Sequence, residues 1–222
     1  MLTMEGCNIM INERSYRQTR ISEIAIRHIN NNILEYIVMI IILLIGIILG
    51  TMYINKTDLN QRQEISNYIN DFMNDMQNGS NIDLSNLLRT SIQNNLLIIV
   101  LLWISGLTVI GMPIVYLLVS IKGFCMGYTI SSVIATLGLA EGIKFIVSTM
   151  LLQNIIIIPS ILVLAVSGIK LYKAIMRDRR RENIKVEILR YTIITLFIGA
   201  ISIIASLIET YVSANIFKIM FI

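Results

Sequence analysis

A few polar side chains interrupt the long apolar stretches of this sequence. Lys122, Gln153 and Asn154 lie well inside such stretches, and Glu209 lies near the end of the last one. A lysine, two amides and a carboxylate could bind an ion or a small polar molecule, or hydrogen-bond to one another between helices. Pro159 would free a backbone carbonyl one turn earlier as a further acceptor. If these stretches cross a membrane, the five residues form a candidate polar cluster, because a charge at the bilayer centre costs about 2.5 to 3.5 kcal/mol and needs a partner.

The sequence lacks the patterns of common catalytic and metal sites. It contains no Walker motif, no G-x-S-x-G and no H-E-x-x-H. Its single histidine, His28, has no second histidine, cysteine pair or carboxylate cluster at ligand spacing. Cys7 and Cys125 fall in segments too differently located to form a disulfide. We therefore predict no catalytic residue, no cofactor, no metal site and no enzymatic activity.

The elements that position the polar residues are predicted to be membrane helices. Hydrophobic residues make up 55% of the chain and charged residues 14%, and the mean hydropathy is +0.74. Soluble domains carry roughly a quarter charged residues. The apolar runs are continuous and not alternating, and a helix needs about 20 such residues to cross the hydrocarbon. The predicted fold is an all-α polytopic bundle of about five transmembrane helices with a small external amphipathic helical segment.

The charges of the connecting segments predict how these helices are oriented. Residues 1–32 carry four arginines, which the positive-inside rule places in the cytoplasm. Residues 33–54 form the first predicted transmembrane helix. Residues 55–94 follow it with three basic and five acidic side chains, which fits an external segment. Residues 170–190 carry eight basic and three acidic side chains and are predicted to be a cytoplasmic loop.

The region between these loops must cross the membrane an odd number of times. One crossing would leave about 50 apolar residues unexplained, and five crossings do not fit at about 20 residues each. Three crossings fit residues 95–169, with an external turn around Glu141. Residues 191–222 then form the fifth helix and an external carboxyl terminus.

The cytoplasmic turn inside this region has two possible positions. A break at Gly111 to Pro113 would place Lys122 roughly 14 Å into the membrane, counted at 1.5 Å per residue. There it could donate to the side-chain oxygen of Gln153 or Asn154 on an antiparallel neighbour. A turn at Lys122 itself would instead leave the lysine at the cytoplasmic surface, where it could extend into the headgroups. We favour the break at Gly111 to Pro113.

Three further positions have structural and functional interpretations. Gly123 and Gly127 have the small-xxx-small spacing of close helix contacts, and we predict that they serve helix packing. Glu209 lies about 27 Å along the fifth helix from Tyr191, which places it near the outer interface. There it either joins the polar cluster or is a solvated helix end.

The external segment is predicted to contain two amphipathic helices. The first has Ile65, Ile69, Phe72 and Met73 at helical spacing, and the second repeats leucines on one face. They could pack on the rest of the protein, lie on the membrane surface, or bind an external partner. The docking candidates for the last case are Asp71, Phe72, Asp75, Met76, Leu87 and Leu88.

The order and spacing of several segments resemble the stage II sporulation protein M family. The segments are one anchor followed by an external amphipathic stretch, then "GLTVIGMPIVYLLVSIKGFCMGYT", then "LLQNIIIIPSILV", a basic loop and a final "LIETYV". The resemblance covers roughly residues 20–220, and it rests on the set, since each segment alone is a short apolar pattern.

The resemblance implies a function that composition does not reveal. It implies a non-enzymatic scaffold at the sporulation septum and engulfing membrane of the mother cell, which anchors or recruits an amidase and a lytic transglycosylase, the stage II sporulation proteins P and D. It implies no catalytic residue.

Two alternatives concern the polar and basic residues. The polar cluster could instead serve a transporter or permease subunit, although the sequence shows no inverted repeat. Contact with anionic lipid headgroups is also possible through the basic loop, but no nucleic-acid partner is expected. The residues concerned are Arg177, Arg179, Arg180 and Arg181.

Overall fold

A computed structural model describes residues 29–78, 84–108, 110–177 and 184–221. Those residues form helices joined by short connections, and none of them is in a strand. The helices are α1 (Ile33–Lys56), α2 (Leu59–Asn78), α3 (Leu84–Leu107), α4 (Gly111–Leu137), α5 (Leu139–Ile146), a five-residue π-helix (Val147–Leu151), α6 (Leu152–Arg177) and α7 (Ile184–Phe221).

Five of these helices are long and apolar enough to cross a membrane, which confirms the predicted all-α polytopic fold. The candidate spans are Ile33–Ile54, Ser85–Leu107, Gly111–Leu137, Gln153–Met176 and Ile184–Tyr211. Many large apolar side chains on these helices are exposed in the isolated chain, as lipid-facing residues must be.

The turn between α3 and α4 lies directly before Gly111, so the favoured of the two positions is the one adopted. Pro113 occupies the first turn of α4, where its missing amide hydrogen leaves no helical bond unmade. Lys122 is therefore in the interior of α4, eleven residues and about 16 Å from Gly111.

The structure differs from the sequence prediction at the start of the second spanning helix. The prediction separated an external helix from a transmembrane helix at residue 95, whereas α3 runs unbroken from Leu84 to Leu107. Neither proline nor glycine interrupts residues 84–105, so nothing in the backbone forces a break. The basic loop is likewise shorter than residues 170–190, because α6 continues to Arg177 and α7 begins at Ile184.

The predicted turn around Glu141 is itself helical. Gly138 ends α4 with a φ of 80°, a left-handed conformation that glycine adopts without steric cost, and α5 starts at the next residue. The π-helix then joins α5 to α6 without a loop. Residues 139–177 thus form one continuous helical stretch with a π-helical segment at residues 147–151. It extends beyond the candidate span at Gln153–Met176.

The core of the bundle is built by α3, α6 and α7, which pack against one another, and α4 packs on α3 and α6. Its most buried apolar side chains include Leu102, Leu164 and Val166. The amphipathic helix α2 packs on α4. Residues 1–38 and 39–222 are two separate contact units, and the packing described here belongs to the second.

Candidate functional site

A hydrogen-bonded group of polar side chains joins α3, α6 and α7. We call Ser91, Asn95, Gln153, Ser206 and Glu209 the polar seam. Gln153 Nε2 of α6 donates to Ser91 Oγ of α3 at 2.8 Å, and Ser91 Oγ lies 2.5 Å from Glu209 Oε2 and 3.1 Å from Ser206 Oγ of α7. Asn95 Nδ2, one turn after Ser91, donates to Ser206 Oγ at 3.2 Å. A single hydroxyl, Ser91, therefore connects all three helices.

The seam is inside the protein. Asn95 is 4% exposed, Ser206 is fully buried and Gln153 is 9% exposed. A buried amide or hydroxyl without a partner costs several kcal/mol in an apolar medium, so these groups satisfy each other only in one relative position of the three helices. The arrangement fixes how the helices are placed along and around their axes.

The predicted polar cluster is only partly assembled. Gln153 and Glu209 meet through Ser91, and Lys122 on α4 is half-buried and interacts electrostatically with Glu209. The predicted hydrogen bond from Lys122 to Gln153 or Asn154 is not formed among the described residues. The Gln153 amide instead donates to Ser91, and Asn154 Nδ2 donates to the Met150 carbonyl oxygen of its own helix at 2.9 Å.

The other two members of that cluster lie on a different surface. Asn154 and Pro159 line an apolar cavity of about 430 Å³ between α4 and α6, together with residues such as Met126 and Ile158. Pro159 is inside α6, which continues past it to Arg177. Neither residue contributes to the contacts among α3, α6 and α7 described above.

A tyrosine holds the opposite end of the same three helices. Tyr191 of α7 is 3% exposed, and its hydroxyl donates to the Leu102 carbonyl oxygen of α3 at 2.8 Å. Gly106 of α3 and Gly168 of α6 make room for it, since a Cβ on Gly106 would lie 2.6 Å from the tyrosine oxygen and one on Gly168 would lie 3.0 Å from it. Trp103 Nε1 adds a second bond from α3 to α7, to Thr192 Oγ1 at 3.3 Å.

A different contact joins α1 to α4. Gly46 and Gly50 of α1 face Gly123 and Gly127 of α4, and a Cβ on any of the four would clash with a backbone carbonyl oxygen of the other helix. Gly123 meets the Leu43 carbonyl in this way. The two backbones thus approach closely, which the small-xxx-small spacing on both sides permits.

Aromatic rings continue this contact toward α2. Tyr53 of α1 lies 5.7 Å from Phe124 and 6.1 Å from Tyr128 of α4, measured between ring centroids. Tyr53 is next to Ile54, the last residue of the first candidate span. Tyrosines concentrate where the hydrocarbon meets the headgroups, so we expect this aromatic cluster near that level of the membrane.

The helix α2 is fixed to the bundle by its apolar face. Ile69 and Met73 are buried against Val133 and Phe145, and the Phe72 ring lies 5.9 Å from the Phe145 ring. A hydrogen bond connects the start of α2 to α1. Arg62 Nη2 donates to the Ile54 carbonyl oxygen near the end of α1 at 2.7 Å. The same oxygen also accepts the backbone N–H of Thr57 at 3.2 Å, so the arginine adds a second hydrogen bond at this helix terminus.

The predicted docking residues are divided by this packing. Phe72 faces the bundle, Leu87 and Leu88 are half-buried in the first turns of α3, and Asp71 is exposed. Asp75 and Met76 are in α2, but their side chains lie outside the described part of the chain. The outward surface of α2, which we call the amide face, consists of Asn67, Asn70, Asp71 and Asn74, all of them exposed.

Several sequence predictions fall where the structure gives no description. His28, Cys7, Arg179, Arg180 and Arg181 lie outside the described residues, as does the side chain of Arg177. Cys125 is exposed on α4. Within residues 29–78, 84–108, 110–177 and 184–221, no group of three or more histidine, cysteine, aspartate or glutamate side chains could hold a metal ion.

Sequence reasoning missed several residues that hold the helices together. Ser91 and Asn95 lie in the stretch assigned to the external segment and its boundary, and Ser206 and Tyr191 were not singled out as contact residues. The spacing of Gly46 and Gly50 in "GIILG" was the available signal for the α1 contact, since it matches that of Gly123 and Gly127.

Comparison with known protein families gives a match. A family model described as Stage II sporulation protein M matches residues 39–214, which is most of the chain and includes all of the polar seam, both glycine pairs and the amide face. Searches of the curated proteins and of the solved structures gave no match.

Proposed function

Because the chain belongs to the stage II sporulation protein M family, we propose that this multi-pass membrane protein is a non-enzymatic scaffold in sporulation. In this proposal it anchors or recruits two peptidoglycan-degrading partners, an amidase and a lytic transglycosylase, which are the stage II sporulation proteins P and D. The place of action is the septum and the engulfing membrane of the mother cell.

The single observation that carries the proposal is the way α2 is mounted. Its apolar face packs on the bundle through Ile69, Met73 and Phe72, which hold the helix in position. Its opposite side presents the amide face to solvent. Three amides and a carboxylate offer both donors and acceptors on a rigid element, which suits specific binding of another folded protein better than membrane insertion.

The membrane part supports a scaffold role by what its polar groups do. The side chains of the polar seam bond to one another between helices, which is a way of holding helices in register. A protein that only positions partners needs a rigid base and an exposed binding surface. The polar seam provides the rigid base, and the amide face provides the binding surface.

Co-purification from sporulating cells tests the proposal. Replacing Asp71 by Arg and Asn74 by Arg places two cations on the amide face without touching the buried face of α2. We expect recovery of the amidase and the transglycosylase with the tagged chain to fall about tenfold, in line with the loss of a central interface contact. The matched control is Glu141→Lys, a charge change at an exposed position on α5.

The outcomes of this experiment are distinct. Loss of both partners from the α2 double variant, with full recovery from Glu141→Lys, supports the proposal. Unchanged recovery from the double variant, with α2 still folded by circular dichroism, contradicts the assignment of the amide face. Absence of both partners from the unchanged chain contradicts the scaffold role itself.

The second candidate function is a transporter or permease subunit that uses the polar seam as a substrate site. The observation in its favour is a half-buried lysine that interacts electrostatically with a half-buried glutamate at membrane depth. That function predicts the reverse mutational pattern. Glu209→Gln and Lys122→Met would abolish sporulation while the protein remains folded, and the amide face would tolerate substitution.

A further inference from the structure

An apolar groove of about 520 Å³ lies between α2 and the bundle. One wall is α2, with Ile65, Tyr68 and Phe72, and the other is the second half of α4, with Tyr128 and Thr129. Phe145 of α5 lines it as well. The volume is within the usual range for sites that bind small molecules, roughly 300 to 1,000 Å³.

The aromatic cluster gives the depth of the groove in the membrane. Tyr128 belongs both to the groove wall and to the aromatic cluster with Tyr53 and Phe124. It is seventeen residues, about 26 Å, from the start of α4, which is close to the full thickness of the hydrocarbon. If the hydrocarbon begins near Gly111, we expect the groove to open where acyl chains meet headgroups, in the leaflet on the α2 side.

The groove is also continuous with the lipid-facing surface of α4. Ile121, Cys125 and Thr129 follow one another at helical spacing and are all exposed, and Thr129 is the one that lines the groove. This stripe leads from the middle of the membrane into the apolar interior of the groove. A hydrocarbon chain from the surrounding bilayer can enter along it without crossing a charged group on this stripe.

The rim of the groove is polar. Glu64 and Tyr68 of α2 both line the groove and are exposed, Tyr68 to 74%. A carboxylate beside the headgroup level attracts an amine and repels an anionic phosphate ester that lacks one. A tyrosine hydroxyl can donate to a phosphate oxygen.

From the position, the apolar lining and the rim, we propose that the groove binds one acyl chain of a phospholipid from the leaflet on the α2 side. The preferred headgroup is zwitterionic and carries an amine, as in phosphatidylethanolamine, because of Glu64. The bound lipid packs between α2 and α4 and so helps to hold the amide face in place. The effect on the amide face rests on the proposed function, whereas the lipid site does not.

Native mass spectrometry of the full-length protein, purified in detergent from phosphatidylethanolamine-rich membranes, tests the site. We expect one phospholipid per chain to survive detergent exchange. Thr129→Trp puts a large side chain into the groove and should lower the lipid-bound fraction about tenfold. Because a ligand that binds only the folded state stabilises it, this variant should also gain less stability from added lipid. Cys125→Trp is the matched control, one turn away on the same lipid-facing stripe and outside the groove lining.

A second measurement covers the case in which Thr129→Trp impairs folding. Adding phosphatidylethanolamine should raise the thermal unfolding midpoint of the unchanged chain and of Cys125→Trp, but not that of Thr129→Trp. Glu64→Lys should shift the preference toward phosphatidylglycerol. The partner-binding variants on the amide face should keep the lipid, so that failure of the lipid site and failure of the scaffold role can be told apart.

Several results would overturn the proposal. These are the absence of retained lipid from the unchanged chain, equal lipid loss from Thr129→Trp and Cys125→Trp, and detergent bound in place of lipid at equal occupancy in every variant. A crosslink from the groove to an apolar segment of a partner protein, with no lipid retained, would also overturn it. An unchanged headgroup preference in Glu64→Lys would contradict the role of the carboxylate.

Discussion

Two contacts between spanning helices hold this protein together by different means. The polar seam joins α3, α6 and α7 through side-chain hydrogen bonds, whereas α1 meets α4 through glycines that press against backbone carbonyls. In a bilayer, apolar side chains gain little by leaving lipid for protein, so helices associate through close packing and polar bonds. The comparison shows both solutions in one chain, and they should fail differently when altered.

The largest effect is expected at the glycine contact. Gly127→Ala puts a methyl group against the Ile47 carbonyl oxygen, a backbone atom that cannot turn aside as a side chain can. We expect the midpoint of thermal unfolding in detergent to fall by an amount equivalent to about 3 kcal/mol, the upper end for an overpacked core. The distance between spin labels on α1 and α4 should lengthen at the same time.

The control for this prediction is another glycine in a spanning helix. The nearest atom to a Cβ on Gly199 would be Leu96 Cδ2 at 3.9 Å, an ordinary contact, so Gly199→Ala should be neutral or slightly stabilising. Equal effects of the two alanine substitutions would show that the α1–α4 contact is not set by its glycines.

The next effect is expected at the polar seam. Ser91→Ala removes the acceptor for Gln153 and the partner of Glu209, and we expect a loss of about 1.5 kcal/mol, near the upper measured range for interhelical bonds in membranes. Ser160→Ala is the control, because the Ser160 hydroxyl bonds to Ile156 in its own helix.

A double-mutant cycle between Ser91→Ala and Gln153→Leu should give a coupling of about 0.6 kcal/mol or more. Strict additivity of the two substitutions would contradict the seam.

A smaller effect is expected at the other end of the same helices. Tyr191→Phe keeps the ring between Gly106 and Gly168 and removes only the bond to the Leu102 carbonyl. The expected cost is about 1 kcal/mol in the same unfolding measurement. Tyr211→Phe, on an exposed ring of the same helix, should have no effect. A larger loss at Tyr211 than at Tyr191 would be inconsistent with the buried bond.

The smallest stability effect is expected on the amide face. Asp71→Arg changes a side chain that is exposed among the described residues, so the free energy of unfolding should change by less than about 0.5 kcal/mol. The same substitution, combined with Asn74→Arg, should still release the partners. A stability loss as large as that of Ser91→Ala would mean that the amide face is structural and not a docking surface.

Much of the fold could be predicted because its signals are local. Continuous apolar runs gave the number of spans, and Gly111 with Pro113 gave the break before α4. The apolar periodicity of α2 identified Ile69 and Met73 as one face, and that is the face that packs. Each of these signals lies within one helix or one turn.

The contacts between helices could not be predicted because they depend on pairings that are distant in the sequence. Ser91 and Ser206 are 115 residues apart, and nothing in either neighbourhood indicates the other. Lys122 was expected to donate to the side-chain oxygen of Gln153 or Asn154, whereas the interhelical bond that forms runs from Gln153 Nε2 to Ser91 Oγ. Choosing among such partners requires the rotation of each helix about its axis, which the sequence of a nearly all-apolar helix does not specify.

The measurement that tests the scaffold role most directly is two-colour imaging in sporulating cells, with one label on this chain and one on stage II sporulation protein P. The proposal predicts that both labels concentrate at the septum and then follow the engulfing membrane. In the Asp71→Arg, Asn74→Arg variant this chain should stay there while its partner disperses, and Glu141→Lys should behave as the unchanged chain does. Uniform fluorescence of this chain around the whole membrane, without enrichment at the septum, would contradict the proposal.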